Sequence, residues 1–285
     1  MKQILEKIKK TDFIIIFMML MPFIFGTFYN FSVFVVAIIL QIITLILYIK
    51  NKKLNIKINS ALICSGALFG FSILSIIWAV DKNDAIIGTL RYLSIVVFNI
   101  FIMQCSEERK DKIFEIIPYS ALLMLALSII IGFIPSLKSY VYTPNGRIMG
   151  FFPYANTFAL YLLIGIVIIT NKNKGKWSIL ITIALTLGIL LTGSRTTLIL
   201  ATFYIIYICF NKENKQRKYY AITYVGLVFL AIIYVLVSNK IESVGRIFSI
   251  SPNTGTLLER ILYWKDSLKL IISNPFGLRI YGLFI

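Results

Sequence analysis

The sequence predicts an all-α, polytopic membrane protein of about nine transmembrane helices, with one further amphipathic helix outside the bilayer. Three observations carry this. The chain of 285 residues is 59% hydrophobic, with a mean hydropathy of +0.86, whereas soluble domains are about 45–50% apolar. Long apolar runs recur along most of its length, each near or above what is needed to cross a ~30 Å hydrocarbon core. Lys and Arg concentrate in the short hydrophilic stretches between those runs. That is the pattern of topology signals, so the net charge of +17 does not indicate a nucleic-acid partner.

Taken in order, the expected spans cover residues 12–27, 31–49, 60–80, 86–105, 113–134, 150–170, 177–193, 196–210 and 219–238. The basic segment Met1 to Lys10 precedes the first span and no small-residue cleavage site follows, so this span reads as an uncleaved start-transfer helix. Only Phe28-Tyr29-Asn30 separates it from the second. The seventh and eighth spans come from one run of about 34 residues, Trp177 to Phe210, whose single charge is Arg195 in the turn-like sequence Gly193-Ser194-Arg195-Thr196. One helix of that length would be roughly 50 Å long, far more than a bilayer core. The run therefore reads as two short spans joined by a tight turn, with Arg195 at or just below one membrane surface. An arginine at the centre of a membrane helix costs about 2.5–3.5 kcal/mol, which argues for a shallow position and a reason to be there.

Assigning the connecting segments alternately to the two sides tests the span set. With the N-terminus inside, eighteen Lys and Arg fall on the inner side, in the stretches around Lys2–Lys10, Lys50–Lys57, Arg109–Lys112, Lys172–Lys176 and Lys212–Lys218. Only four, Lys82, Lys138, Arg147 and Arg195, fall on the outer side. The positive-inside rule thus predicts a multi-pass protein of the cell (inner or plasma) membrane with a cytoplasmic N-terminus.

After Ser238 the chain is expected outside. Leu257, Ile261, Trp264, Leu268 and Ile271 repeat at helical spacing, with Glu259 and Asp266 on the opposite face and Lys265 and Lys269 intruding on the apolar side. Pro252, Asn253 and Gly255 supply the preceding turn, Thr256 and Glu259 fit a capping box, and Asn274-Pro275 ends the helix. It reads as a helix lying on the outer membrane surface.

Histidine is absent, which removes a His-based zinc site and a Ser-His-Asp triad within this chain. Cys64, Cys105 and Cys209 share no metal-ligand spacing and offer no disulfide framework. No metal or cofactor is expected. What remains is arginine. Arg147 and Arg195 fall outside, Arg91 lies about a turn inside the fourth span near its outer end, and Arg260 lies at the edge of the apolar face of the amphipathic helix. The inner cations are mostly lysine, which suits solvated anchors, whereas arginine suits fixed contact with phosphate or carboxylate. The four are candidates to converge on a phosphate or pyrophosphate at headgroup depth, such as that of a lipid-linked sugar. Each also has a plainer reading: Arg147 solvated at a loop end, Arg195 snorkelling, Arg91 paired with Asp81 or Asp84, Arg260 on headgroups or Glu242. Asn156, within the sixth span near Pro153, is either part of the site or a helix-packing donor.

The same residues resemble a known pattern. Gly146-Arg147-Ile148-Met149-Gly150-Phe151-Phe152-Pro153-Tyr154-Ala155-Asn156 is similar to the Arg-x-x-Gly-x-Phe…Asn-x-x-Ala segment of the O-antigen ligase and polysaccharide polymerase family. Leu191-Thr192-Gly193-Ser194-Arg195 resembles that family's Thr-x-Ser-Arg turn. Arg260 to Asp266, with Asn274-Pro275-Phe276-Gly277, resembles its Arg-x-x-x-Trp…Pro-x-x-Gly signature, which opens a large extracytoplasmic loop. The resemblance spans roughly residues 140 to 280. It implies a metal-independent membrane glycosyltransferase that takes a polyprenyl-pyrophosphate-linked glycan (undecaprenyl pyrophosphate as carrier) as donor and a saccharide as acceptor. Arg147, Arg195 and Arg260 would bind the donor pyrophosphate, with Arg91 and Asn156 as further candidates. On this reading residues 1–238 are the transmembrane bundle and 239–285 begin the loop. The family's histidine-bearing segment and further spans do not follow, so the chain resembles a C-terminally truncated member to which no catalytic base is assigned. The alternatives are a flippase or transporter for lipid-linked oligosaccharide and an inactive member of the family.

Overall fold

The computed structural model describes residues 13–79, 81–172, 175–211, 216–238 and 255–273, with side chains described at all of these except 234–238 and 255–258. Among the described residues the structure is helical, its α-helices joined by short turns and one isolated β-bridge. They are α1 (Phe13–Leu20), α2 (Asn30–Asn51), α3 (Ser60–Ser75), α4 (Lys82–Gln104), α5 (Glu107–Gly132), α6 (Ala155–Lys172), α7 (Lys176–Thr192), α8 (Arg195–Phe210), α9 (Arg217–Ser238) and α10 (Gly255–Ser273). Each expected span meets a helix. The chain is an all-α, multi-pass membrane protein, with α2, α3 extended to Trp78, α4, α5 and α6 each long and apolar enough to cross a bilayer.

Two spans differ from expectation in a way that bears on function. The first is α-helical only to Leu20. Pro22 cannot donate to a continuing ladder, and the chain passes through a 3-10 turn over Met21–Phe23. A reversal follows in which Phe25, Gly26 and Thr27 all take left-handed φ, at 50°, 59° and 52°. The sixth helix begins at Ala155 rather than at residue 150, because residues 150–154 form turns ahead of it. In the segment after Ser238, α10 is present. The Thr256 side chain of its expected capping box, the Pro252-Asn253 turn before it and the Asn274-Pro275 stop lie outside the described residues.

The helices group into two compact units. Of the described residues, 13–28 and those from 107 to 238 form the first. In it α6 packs on α5 and α7, α1 on α5, and α9 on α7 and α8. Its core runs through Met124 of α5, Phe158 and Leu162 of α6, Leu185 and Ile189 of α7 and Ile208 of α8, all at most 2% exposed. Tyrosine hydroxyls tie these helices: Tyr204 of α8 to Thr170 of α6 (2.6 Å), Tyr220 of α9 to Ser178 of α7 (2.7 Å), and Tyr224 of α9 to Thr202 of α8 (2.8 Å). Such bonds average about 0.6 kcal/mol in membrane bundles, so they register the helices more than they stabilise them.

Of the described residues, those from 29 to 106 and 255–273 form the second unit, in which α4 packs on both α2 and α3. Asp81 is the N-cap of α4, accepting from the Asn83 and Asp84 backbone N–H groups at 2.8 and 3.1 Å. Thr89 of α4 donates to the Ser72 carbonyl of α3 (3.1 Å), and the Asn99 amide donates to Ser65 Oγ (3.0 Å).

Contacts inside each unit respect the alternation of sides read from charge. Lys172, at the end of α6, pairs with Asp111 at the start of α5, two positions expected on the same face. Gln104 meets Asn55 in the same way in the second unit. At the other end of the first unit the loop before α6 meets the α7–α8 turn.

Candidate functional site

The loop between α5 and α6 is a small hairpin. Tyr142 and Ile148 form the antiparallel bridge. Gly146 N–H donates to the Thr143 carbonyl (2.9 Å), Thr143 N–H to the Arg147 carbonyl (2.9 Å) and Met149 N–H to the Val141 carbonyl (2.9 Å). Thr143-Pro144-Asn145-Gly146 thus makes a tight turn closed through Gly146 at φ 68°, a left-handed position that favours glycine. Val141 and Ile148 are at most 2% exposed and anchor the hairpin in the core. Lys138 Nζ sits 5.7 Å from the centre of the Tyr142 ring, and burial pushes the Tyr142 phenol above its ordinary value, so it stays neutral at physiological pH.

Beyond the hairpin an aromatic run fixes the loop from two sides. Phe152 packs on Phe158 and Tyr161 of α6, with ring centres 6.0 and 5.4 Å apart. On the α1 side, Phe151 meets Phe23 (5.3 Å) and Tyr154 meets Phe28 edge-on (5.5 Å). The Phe152 ring also occupies the space a side chain at Gly26 would need: a Cβ there would lie 2.2 Å from Phe152 Cδ1. The broken end of the first span is therefore a seat for this loop.

The opposing element is the α7–α8 turn. Gly193 ends α7 at φ 63°, Ser194 is the N-cap position of α8, and Arg195 is the first residue of that helix. Thr192, Ser194 and Thr197 are all at most 2% exposed and satisfy one another. Ser194 N–H donates to Thr192 Oγ1 (3.3 Å), and the Ser194 and Thr197 hydroxyls are 3.0 Å apart. The expected split of the long apolar run at Arg195 is present, and buried hydroxyls make the turn rigid.

Arg147 joins the two elements. Its Nε donates to the Thr192 carbonyl at 2.6 Å and its Nη2 to Asn156 Oδ1 at 2.6 Å. A guanidinium is donor-only, so the Asn156 oxygen is the atom that faces it. Ile148 N–H adds a backbone bond to the Leu191 carbonyl (3.3 Å), and Thr143 Oγ1 accepts from Arg147 N–H (3.1 Å). Arg147 is thereby held on the end of α7, three residues before half-buried Arg195, and on the first turn of α6.

Of the sequence-predicted residues, Arg147, Asn156 and the Arg195 turn come together in the first unit. Arg91, half-buried on α4, and Arg260, exposed on α10, belong to the second. The roles of Thr143 and of the Thr192 carbonyl, and the Gly26–Phe152 contact, are not legible in the sequence. Toward Arg147, Thr192 acts through its carbonyl, which every residue has, and Gly26 acts through the absence of a side chain.

Chemically, the described cluster suits an anion. Two guanidinium-bearing residues and the N-termini of α6 and α8 lie at one end of the unit, and helix N-termini carry partial positive charge.

Comparison with known proteins adds one match: residues 179–283 match the family model described as O-antigen ligase. The matched stretch runs from α7 to beyond α10; it contains Arg195 and Arg260 and begins after Arg147 and Asn156. No curated protein and no solved structure matches the chain.

Proposed function

From the match of residues 179–283 to the family model described as O-antigen ligase, we propose that the protein is a membrane glycosyltransferase, polymerase or ligase, of cell-surface polysaccharide assembly. Its donor is a glycan linked to a polyprenyl pyrophosphate, and Arg147 and Arg195 hold the pyrophosphate. The observation that carries this reading is the fixing of Arg147 to the Arg195-bearing turn through Thr192 O and Asn156 Oδ1.

The depth of the site supports the choice of ligand. At 17 and 16 residues, α7 and α8 are about 26 and 24 Å long, shorter than a ~30 Å hydrocarbon core. With Lys176 at the start of α7 and the basic stretch Lys212 to Lys218 after α8 at one surface, the joining turn sits a little below the other, where a lipid-borne pyrophosphate presents its charge. By the positive-inside count that face is extracytoplasmic.

In the reaction the acceptor hydroxyl oxygen bonds to the anomeric carbon, the bond from that carbon to the pyrophosphate oxygen breaks, and the hydroxyl proton passes to water. Negative charge grows on the departing polyprenyl pyrophosphate. Guanidinium groups fixed before the reaction stabilise that charge without reorganising, which is where preorganised donors act most strongly. Asn156 and the Thr192 carbonyl orient Arg147; they do not themselves need to meet the sugar. Arg260 and Arg91 are further candidates for the donor, and the exposed apolar side chains Ile261, Trp264, Leu268 and Ile271 of α10 suit a helix resting on the membrane surface.

The test uses membranes bearing the protein and labelled lipid-linked repeat units, read out as extended or transferred glycan. We expect transfer by the wild type, and at least about a hundredfold loss in Arg195→Ala, in line with removal of a transition-state donor. Full activity of Arg195→Ala would overturn the arginine assignment, and transport of the lipid-linked unit without transfer would overturn the enzyme assignment.

A further inference from the structure

The second unit carries a site of another kind, and nothing about it depends on the glycan chemistry. Between α2 and α4, where α2 gives way to residues 52–59, lies an open apolar groove of about 310 Å³. Leu45 and Tyr48 of α2, Leu54 of the connecting segment, and Val97 and Ile100 of α4 line it. Its wall is held in place. Asn55 N–H donates to Gln104 Oε1 (2.9 Å), while Gln104 Nε2 donates to the Asn55 carbonyl and to the Ile100 carbonyl, both at 3.0 Å. This clasp keeps Leu54 at the groove. At its rim the chain reverses through Lys52, a non-glycine residue in the left-handed region (φ 52°), whose N–H bonds the Tyr48 carbonyl at 2.7 Å.

Along the α2 side of the groove the charge has one sign; beyond the α4 side, Glu107 and Glu108 follow Gln104 in the chain and pair with Lys110 and Lys112. Lys50, Lys52, Lys53 and Lys57 are all exposed, and residues 13–80 contain no Asp or Glu. Two basic helix ends are built differently: at the start of α5 Lys110 pairs with Glu107 and Lys112 with Glu108, and at the end of α6 Lys172 pairs with Asp111. An apolar groove flanked by four lysines, with no carboxylate in the same stretch, has the chemistry of an acidic amphiphile.

We propose that this groove binds an anionic phospholipid of the leaflet that these lysines face. One acyl chain lies between α2 and α4 against Leu45, Leu54 and Val97, and the phosphate sits among the ammonium groups of Lys50 to Lys57. Inside a bilayer, exchanging one acyl chain for another gains little, because lipid tails are as apolar as leucine. Headgroup charge therefore sets the selectivity and the groove sets the place.

The experiment uses the full chain purified in a neutral detergent and titrated with phosphatidylglycerol or phosphatidylcholine of identical chains, with retained lipid counted by native mass spectrometry. We expect about tenfold or greater preference for phosphatidylglycerol, given the attraction of each lysine to anionic headgroups. A variant with Lys50, Lys52, Lys53 and Lys57 all changed to Gln loses that preference, whereas Lys110→Gln/Lys112→Gln keeps it. Leu45→Trp and Val97→Trp, which fill the groove from opposite walls, each lower phosphatidylglycerol retention with the lysines intact. Equal retention of the two lipids overturns the proposal, as does a preference that survives the fourfold change or both tryptophans. Competition by inorganic phosphate alone would mark a free-anion site instead. A concentration-dependent dimer that excludes lipid and is abolished by Leu45→Trp would assign the groove to a second copy of the chain.

Discussion

Arg147 shows how a charge can be placed by a backbone carbonyl and a side-chain amide. Its two described side-chain bonds go to the Thr192 carbonyl and to Asn156, neither of which cancels its charge. Lysine cannot reproduce the two directed contacts, so Arg147→Lys is expected to lose transfer activity by about tenfold or more while the protein still folds, checked by the glycan assay beside a melting curve. Asn156→Asp makes the opposite change. It keeps an acceptor at 2.6 Å from Nη2 but adds a negative charge beside the donor site. The expected outcome is weakened use of the donor with unchanged or raised thermal stability, a split that a purely structural asparagine would not give.

At the scale of elements, the site depends on two reversals that must hold their shape. The first is the end of the first span, where the Phe152 ring lies against Gly26. Gly26→Ala places a methyl 2.2 Å from Phe152 Cδ1 at a φ of 59°, so the ring has to move. A loss of about 1–3 kcal/mol is expected, measured by thermal unfolding in detergent, and Phe152→Leu should restore part of it. The second is the α7–α8 turn. Gly193→Ala keeps the sequence almost unchanged but strains the left-handed close of α7 at φ 63°, for an expected cost of about 1 kcal/mol, and tilts the Thr192 carbonyl that Arg147 uses. The spans themselves were legible from sequence because hydrophobic length is a property of the chain alone. The break after Leu20 was less so: Pro22 marked it, but the run of left-handed residues at 25–27 is stabilised by aromatic residues more than a hundred positions away.

For the whole molecule, sidedness is the quantity that ties the site to its substrate. Cysteines introduced at Asn145, an exposed turn residue, and at Arg260 are expected to react with a membrane-impermeant reagent in intact cells, and one at Lys57 only after the membrane is opened. Reaction at 145 only after opening would reverse the orientation and remove the pyrophosphate reading with it. The two units also divide the candidate arginines, with Arg147 and Arg195 in one and Arg91 and Arg260 in the other. The glycan assay applied to Arg91→Ala and Arg260→Ala therefore asks whether the second unit contributes to the donor site at all.

Composition, the length of the apolar runs and the placement of lysine determined by themselves that this is a multi-pass helical membrane protein, where its helices lie and that its long run turns at Arg195. These follow from the chain because a bilayer imposes one length and one charge asymmetry on every span, whatever its neighbours. Only the tertiary structure decided that Arg147 rests on the Thr192 carbonyl and on Asn156, that Phe152 fills the space at Gly26, and that Gln104 clasps Asn55 to shape a groove. Those contacts join residues 45, 9, 126 and 49 positions apart. They use backbone atoms, missing side chains and neutral amides, which carry no pattern along a sequence until folding brings them together.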